Sequence, residues 1–181
     1  YQVNVNAQGQ NKLGDAANEP SLAIDPTNPL YMAIGWRQFN TVNSNLRQAC
    51  YAFSVDGGKT WFNQGTIIPG SFRSDPVLDA DANGRFYYNS LTNVGNQLLC
   101  DVFRTEDNFE WDGGVPAHGG DKQWMVIDKT ENPSKGNIYA VWHISSSSCH
   151  GDFIYSFDGG ETYSSCVLME RTCAGGTINI G

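Results

Sequence analysis

Four carboxylates stand where their surroundings suggest chemistry: Glu19 in Asn18-Glu19-Pro20, Asp75 in Ser74-Asp75-Pro76, Asp121 in Asp121-Lys122-Gln123, and Asp152 in Gly151-Asp152-Phe153. The first three each open a β-prone run, so a fold that lays those runs side by side would bring the carboxylates together. Converging carboxylates bind calcium or another hard cation, with Glu19, Asp75 and Asp121 as its ligands. They equally grip cationic or hydroxyl-rich ligands, and a pair at suitable spacing supplies the two groups of glycoside cleavage. The neighbouring cations Arg73 and Lys122 offer ligand contacts or plain neutralisation of the acids. Arg37 and His143, each following a tryptophan, are further ligand-binding candidates, with Asn40, Arg47 and His150 in the adjoining loops. The histidines at 118, 143 and 150 show no zinc spacing, and no Ser-His-Asp arrangement can be read from them. No cofactor other than calcium is implied.

The elements that must position these residues repeat. Ser54-Val55-Asp56-Gly57-Gly58-Lys59-Thr60-Trp61 recurs as Ser156-Phe157-Asp158-Gly159-Gly160-Glu161-Thr162-Tyr163. A degraded copy, Arg104-Thr105-Glu106-Asp107-Asn108-Phe109-Glu110-Trp111, lies between them. The third positions are 56, 106 and 158, separated by 50 and 52 residues. Each copy follows an acid-led run and an aromatic β-prone run, so each repeat reads as four short strands joined by turn chemistry. The first repeat predicts strands over 20–25, 30–36, 48–54 and 60–62. The second predicts 76–80, 85–91, 97–104 and 109–111, and the third 123–128, 137–143, 152–157 and 162–168. The start of a fourth lies at 174–181, and no stretch reads as a helix.

The turn pattern S-x-D-G-G-x-T-W resembles the Asp-box of the sialidase-like β-propellers. The resemblance implies an all-β propeller of four-stranded antiparallel blades, spanning about 19–63, 74–112 and 121–168, followed by the first strand of a fourth. Three blades do not close a ring, so the reading predicts part of a six- or seven-bladed propeller, completed by the rest of a longer chain or by further copies. In the turns themselves, Ser54, Asp56, Gly57, Gly58, Thr60 and Trp61, then Glu106 and Trp111, then Ser156, Asp158, Gly159, Gly160, Thr162 and Tyr163 read as structural. Glycines allow positive φ, the carboxylate accepts turn amides, and the aromatic ring packs between hairpins. The family places its active site on the opposite face, around the central axis. There its enzymes use an F-R-I-P arginine, two further arginines, an Asp before the first Asp-box and a later Tyr–Glu pair. Here the first matching stretch is Asn18-Glu19-Pro20-Ser21-Leu22, without arginine, and the loop between Arg37 and Tyr51 holds no Asp. Only Phe72-Arg73-Ser74-Asp75-Pro76 approaches the arginine motif, with one residue added. Ordinary sialidase activity is not expected.

Composition points the same way. The 181 residues carry a formal charge of −8 with no basic run, which argues against nucleic acid and anionic membrane surfaces as partners. Apolar runs are short, so membrane insertion is not expected. Only 17 % of residues are charged, and the abundance of amides and hydroxyls suits a secreted protein whose N-terminus is a processed end; a cytoplasmic chain is the alternative. Among five cysteines, Cys149 and Cys166 flank the third turn and can meet across its strands as a disulfide, with Cys173 the alternative partner. Cys50 and Cys100 read as buried apolar residues. The functional expectation is a propeller recognising a glycan or an extracellular protein on its axial face. It is either glycoside hydrolase-like, using two of Glu19, Asp75, Asp121 and Asp152, or a non-catalytic assembly module.

Overall fold

The computed structural model describes residues 1–105, 109–147, 149–170 and 176–180. The described chain is all-β and antiparallel. Strands β1 (Ala16–Ile24), β2 (Met32–Phe39), β3 (Gln48–Ser54) and β4 (Phe62–Thr66) form one sheet in chain order. Strands β5 (Arg73–Ala80), β6 (Phe86–Val94), β7 (Gln97–Arg104) and β8 (Val115–Pro116) form a second. The third has β9 (Trp124–Ile127), β10 (Ile138–Val141) and β11 (Phe153–Ser156). The sheets pack in series, with β1 against β5 and β5 against β9. Among the described residues no helix is long and apolar enough to cross a membrane.

The period-2 geometry of a strand explains why the middle sheet is aromatic on both sides. In Phe86-Tyr87-Tyr88 the alternate residues face opposite ways. Phe86 and Tyr88 join Phe53, Leu78 and Phe103 in a core shared with the first sheet. Tyr87 joins Val77, Val102, Met125, Ile138 and Ile154 in a core shared with the third. Polar stitches cross both seams. Ser21 Oγ accepts the Leu78 N–H at 2.9 Å, Asp79 Oδ2 accepts the Ile127 N–H at 2.9 Å, and Tyr88 donates to the Cys50 carbonyl at 3.2 Å. Gly35 lies against Tyr88, and a Cβ there would meet the ring at 2.4 Å. The close approach of the first two sheets therefore requires glycine at that position.

Four elements depart from the repeat pattern. The fourth strand expected at 109–111 pairs later, at Val115–Pro116, and Trp111 makes only an isolated bridge to Thr105. Asp112 holds the chain back by accepting the Arg104 N–H at 3.0 Å and its guanidinium at 2.9 Å. Gly114, at φ 77°, then turns the backbone into register with Asp101 and Val102. The strand expected over 162–168 is reduced to a bridge between Phe153 and Val167. There the Ser164 hydroxyl takes the Tyr155 N–H at 3.1 Å in place of a backbone partner. In the first sheet the last strand begins at Phe62 and continues to Thr66, later than 60–62. Residues 176–180 form no strand; Ala174, Gly175 and Gly181 of that expected element lie outside the described residues, as do Glu106 and Cys173.

The two Gly-Gly turns carry matching networks. Asp56 accepts the Thr60 N–H at 2.9 Å and the Thr60 hydroxyl at 2.7 Å, while Ser54 donates to Asp56 at 2.9 Å and accepts the Gly58 N–H at 2.9 Å. Asp158 repeats this with Thr162 at 3.0 and 2.6 Å, and Ser156 donates to it at 2.7 Å and accepts the Gly160 N–H at 2.9 Å. The four glycines take φ of 70–84°. Trp61 closes its own turn by donating to the Gly58 carbonyl at 3.0 Å, and Trp111 packs its ring against Phe53 and Tyr88 across the first seam. Hydrogen bonds to the Thr60 and Thr162 amides and hydroxyls hold both carboxylates at about 2. A lowered native pKa means that the unfolded chain binds more protons, so this stabilisation is present above the ordinary Asp value and lost as pH falls from about 4 to 2. Thermal melts across that interval should show Tm falling with acidification, and an Asp56→Asn/Asp158→Asn double variant should show a flatter fall. An equally steep fall in the double variant would rule out these turns as the acid-sensitive element.

Candidate functional site

Three residues just ahead of Ser21, Val77 and Trp124 share an unusual backbone: Glu19 at φ 53°, Asp75 at φ 47° and Lys122 at φ 60°. Left-handed geometry is uncommon for non-glycine residues and persists only where surroundings impose it. In the first two sheets it coincides with a register irregularity, between Asn18 and Ser21 and between Ser74 and Val77. These bulges turn the side chains out of the ladder toward a shared cleft of about 340 Å³, lined by Glu19, Asp75, Lys122, Gln123, Trp124 and Thr177.

The corresponding residue of the third sheet is therefore Lys122, where the repeat pattern expected Asp121. Asp121 instead spends its backbone on the end of β10, with its N–H donating to Ser146 Oγ at 2.7 Å and its carbonyl accepting the His143 N–H at 2.9 Å. Its exposed carboxylate lies 3.7 Å from the Lys122 ammonium. The expected metal set of Glu19, Asp75 and Asp121 is consequently not gathered, because a cation occupies the third position. The three carboxylates do not come within 4.8 Å of one another.

Glu19 and Asp75 do meet. Arg37, at the end of β2, reaches both, with Nη2 2.8 Å from Glu19 and Nη1 3.6 Å from Asp75. Asn18 Oδ1 fixes its Nε at 2.8 Å and the Phe39 ring lies under the guanidinium. Arg37 is thus a brace for the acid pair rather than a free ligand-binding group. Ser74 donates to the Asp75 carboxylate, and the Gln123 amide donates to the Asp75 carbonyl, tying the second and third sheets at the cleft. Burial raises the Glu19 pKa, and the neighbouring Asp75 carboxyl raises it further by hydrogen bonding and charge, against the opposing pull of Arg37 and Lys122. Trp124 borders the pair, 41 % exposed although it begins a strand.

The remaining candidates go elsewhere. Arg73 is buried between the first two sheets, 2.6 Å from Asp101 and stacked over Phe103, so it neutralises an internal acid and does not line the cleft. Asp152 is fully buried, with one oxygen accepting the Met169 N–H at 2.9 Å and the other without a partner. It anchors the chain after the third turn and cannot touch a ligand on the surface. His143 spends Nδ1 on Ser145, whose N–H approaches at 3.3 Å and hydroxyl at 2.6 Å, and so caps the short 3-10 turn Ile144–Ser146. Cys149 and Cys166 are joined in a disulfide, with Cα atoms 6.2 Å apart. Cys50 and Cys100 are buried thiols whose pKa burial raises, that of Cys50 to about 12, which leaves them inert. Trp124 is the cleft residue that sequence reasoning missed. Its signal is a tryptophan separated by two residues from the acid that opens the third repeat, inside the strand expected over 123–128.

No family model matches the chain, and no curated protein matches it. Among solved structures, a Hadza microbial sialidase, Hz136, aligns over 94 % of this chain and 37 % of its own length, with a TM-score of 0.60 at 11 % identity. A structure described under the GH130 family of mannoside phosphorylases, which contains glycoside hydrolases that target β-1,2 mannosidic linkages in Candida mannan, aligns over 88 % of this chain and 51 % of its own. Its TM-score is 0.54 at 12 % identity. The chain therefore shares the fold of glycoside-processing enzymes and spans well under two thirds of either. Its packed antiparallel sheets are propeller-like.

Proposed function

We propose that this chain contributes the axial face of a secreted propeller and that the cleft around Glu19, Asp75 and Trp124 recognises a glycan. The observation that carries the reading is the braced acid pair. Two residues from different sheets, both in left-handed geometry, are clamped by one arginine beside an exposed tryptophan. Carboxylates accept hydrogen bonds from sugar hydroxyls, and an exposed indole offers the flat apolar surface on which a pyranose ring stacks. The same carboxylates repel an acidic sugar, so neutral or amino-substituted glycans fit the cleft better than sialylated ones. The end faces support additional blades on either side, supplied by further chain length or other copies. Leu22 and Ile24 are exposed on the first sheet, and Tyr139, Phe153, Tyr155 and Phe157 form an aromatic row on the third.

Binding to an array of neutral, amino-substituted and sialylated oligosaccharides tests this reading. Neutral or amino-substituted sugars are expected to bind, and Trp124→Ala is expected to weaken them about tenfold through loss of the stacking surface. Preference for sialylated sugars, or indifference to Trp124, would reject the cleft as the site. A hydrolytic role is the second reading, favoured by two carboxyls lining one cleft, where burial and Asp75 raise the Glu19 pKa toward that of a general acid. Under it, Glu19→Gln stops cleavage of aryl glycosides while oligosaccharide binding persists.

A further inference from the structure

At the opposite edge of the third sheet a second constellation has no part in the cleft. One imidazole nitrogen of His118 and the sulfurs of Cys149 and Cys166 all lie within 4.8 Å of one another, and all three residues are half-buried. His118 is held in left-handed geometry, φ 51°, with its carbonyl accepting the Cys100 N–H. The next residue, Gly119, has φ 120° and no room for a side chain, since a Cβ would meet the Cys100 sulfur at 2.4 Å. Gly120 is pressed in the same way against Trp142. On the other side, Cys166 precedes the Val167 bridge to Phe153, and Gly151 packs against the Val167 carbonyl. Cys149 is tied through Ser147, whose hydroxyl donates to the Cys149 carbonyl at 2.7 Å and lies 3.3 Å from its sulfur. The backbones that carry the three groups are thus positioned by contacts other than the S–S bond itself. Holding ligands on a rigid frame is what a metal site needs.

We propose that the Cys149–Cys166 disulfide and His118 form a redox-gated zinc site, closed to metal when oxidised and a Cys2His site when reduced. An external dithiol delivers two electrons and two protons to the S–S bond by exchange and is itself oxidised to a disulfide, or a phosphine delivers the two electrons and water the two protons and the oxygen of the phosphine oxide; either leaves two thiols. Zn²⁺ then displaces both thiol protons to solvent and takes the neutral imidazole as third ligand, with water in the fourth position. The sulfurs must part to roughly 3.8 Å, the edge of a tetrahedron with Zn–S bonds of about 2.3 Å. The Cα separation of 6.2 Å accommodates that by side-chain rotation.

The test uses the full chain carrying Cys173→Ser, so that only the cluster supplies accessible thiols. Oxidised and phosphine-reduced samples are desalted under argon and titrated with Co²⁺, which is then displaced by Zn²⁺. The reduced protein is expected to bind one metal per chain with a thiolate-to-cobalt charge-transfer band, and the oxidised protein to show neither. His118→Asn, a residue that tolerates left-handed geometry, should weaken Zn²⁺ at least about tenfold, with the near-ultraviolet circular dichroism unchanged. Cys166→Ser should bind weakly whatever the redox state. Absence of the band in reduced protein, folded or not, overturns the proposal, as does a zinc affinity that His118→Asn leaves unchanged.

Discussion

An Arg37→Met variant is expected, on the glycan-binding reading proposed above, to lose oligosaccharide affinity at the cleft by about 30-fold or more. Among the described residues Arg37 is the one cation that contacts both Glu19 and Asp75, at 2.8 and 3.6 Å. Its own side chain is largely withdrawn from water, so its loss would leave two carboxylates facing each other with only the exposed Lys122 to offset them. Removing one member of a buried hydrogen-bonded charge pair costs about 2–5 kcal/mol. The lower figure applies here, because 43 % of the Glu19 side chain remains exposed and solvent screens it; about 2 kcal/mol corresponds to about 30-fold. The pH dependence has a definite sign. Arg37 lowers the Glu19 pKa, so without it the acid holds its proton to higher pH. A raised native carboxyl pKa means that the folded state binds more protons than the unfolded one. The stability of the variant should therefore fall as pH rises from the ordinary Glu range through the raised value, and more than in the wild type. Calorimetric titration with an oligosaccharide that binds the wild type, at pH 5 and pH 7, together with thermal melts, measures both effects. Unchanged affinity would show that the braced pair is a structural ion cluster and not a ligand site.

Tyr88→Ala should destabilise the chain by about 3–5 kcal/mol, the range for emptying a buried aromatic site. Tyr88 is fully buried at the seam of the first two sheets, its ring touching Trp111 edge-on and filling the space that Gly35 leaves open. Its hydroxyl donates to the Cys50 carbonyl, so the truncation also removes a buried hydrogen bond. Tyr88→Phe separates the contributions. It keeps the ring and removes only the hydrogen bond, at an expected cost of about 1 kcal/mol. Because the seam also sets how close β1 lies to β5, Tyr88→Ala should weaken oligosaccharide binding although the residue lies outside the cleft lining. Urea unfolding of the three proteins measures the first effect, and the oligosaccharide titration measures the second. A loss of stability below about 1 kcal/mol in Tyr88→Ala would mean that the sheets do not depend on this packing.

The sequence by itself determined the local chemistry. The repeated Ser-x-Asp-Gly-Gly-x-Thr pattern was legible because every partner lies within four residues, so Asp56 finds Thr60 and Asp158 finds Thr162 with no help from the rest of the chain. The strand order within each sheet was legible for the same reason, since short antiparallel connections leave little choice. Where a side chain captured the backbone, local pattern failed, as with Asp112 delaying β8 and Ser164 interrupting the last ladder. The site was decided by tertiary structure. Glu19, Asp75 and Asp121 look equivalent along the chain, yet a shift of one residue at the start of β9 puts Lys122 where the third acid was expected. That shift reverses a charge and replaces an expected cation site with a braced acid pair. Arg73 and Asp152 likewise read as surface chemistry but are buried, one against Asp101 and the other behind Met169. Charge and type are properties of a residue, whereas exposure, register and partners belong to the packed sheets. Contacts between residues some fifty positions apart, such as Gln123 with Asp75, leave no local signal to read.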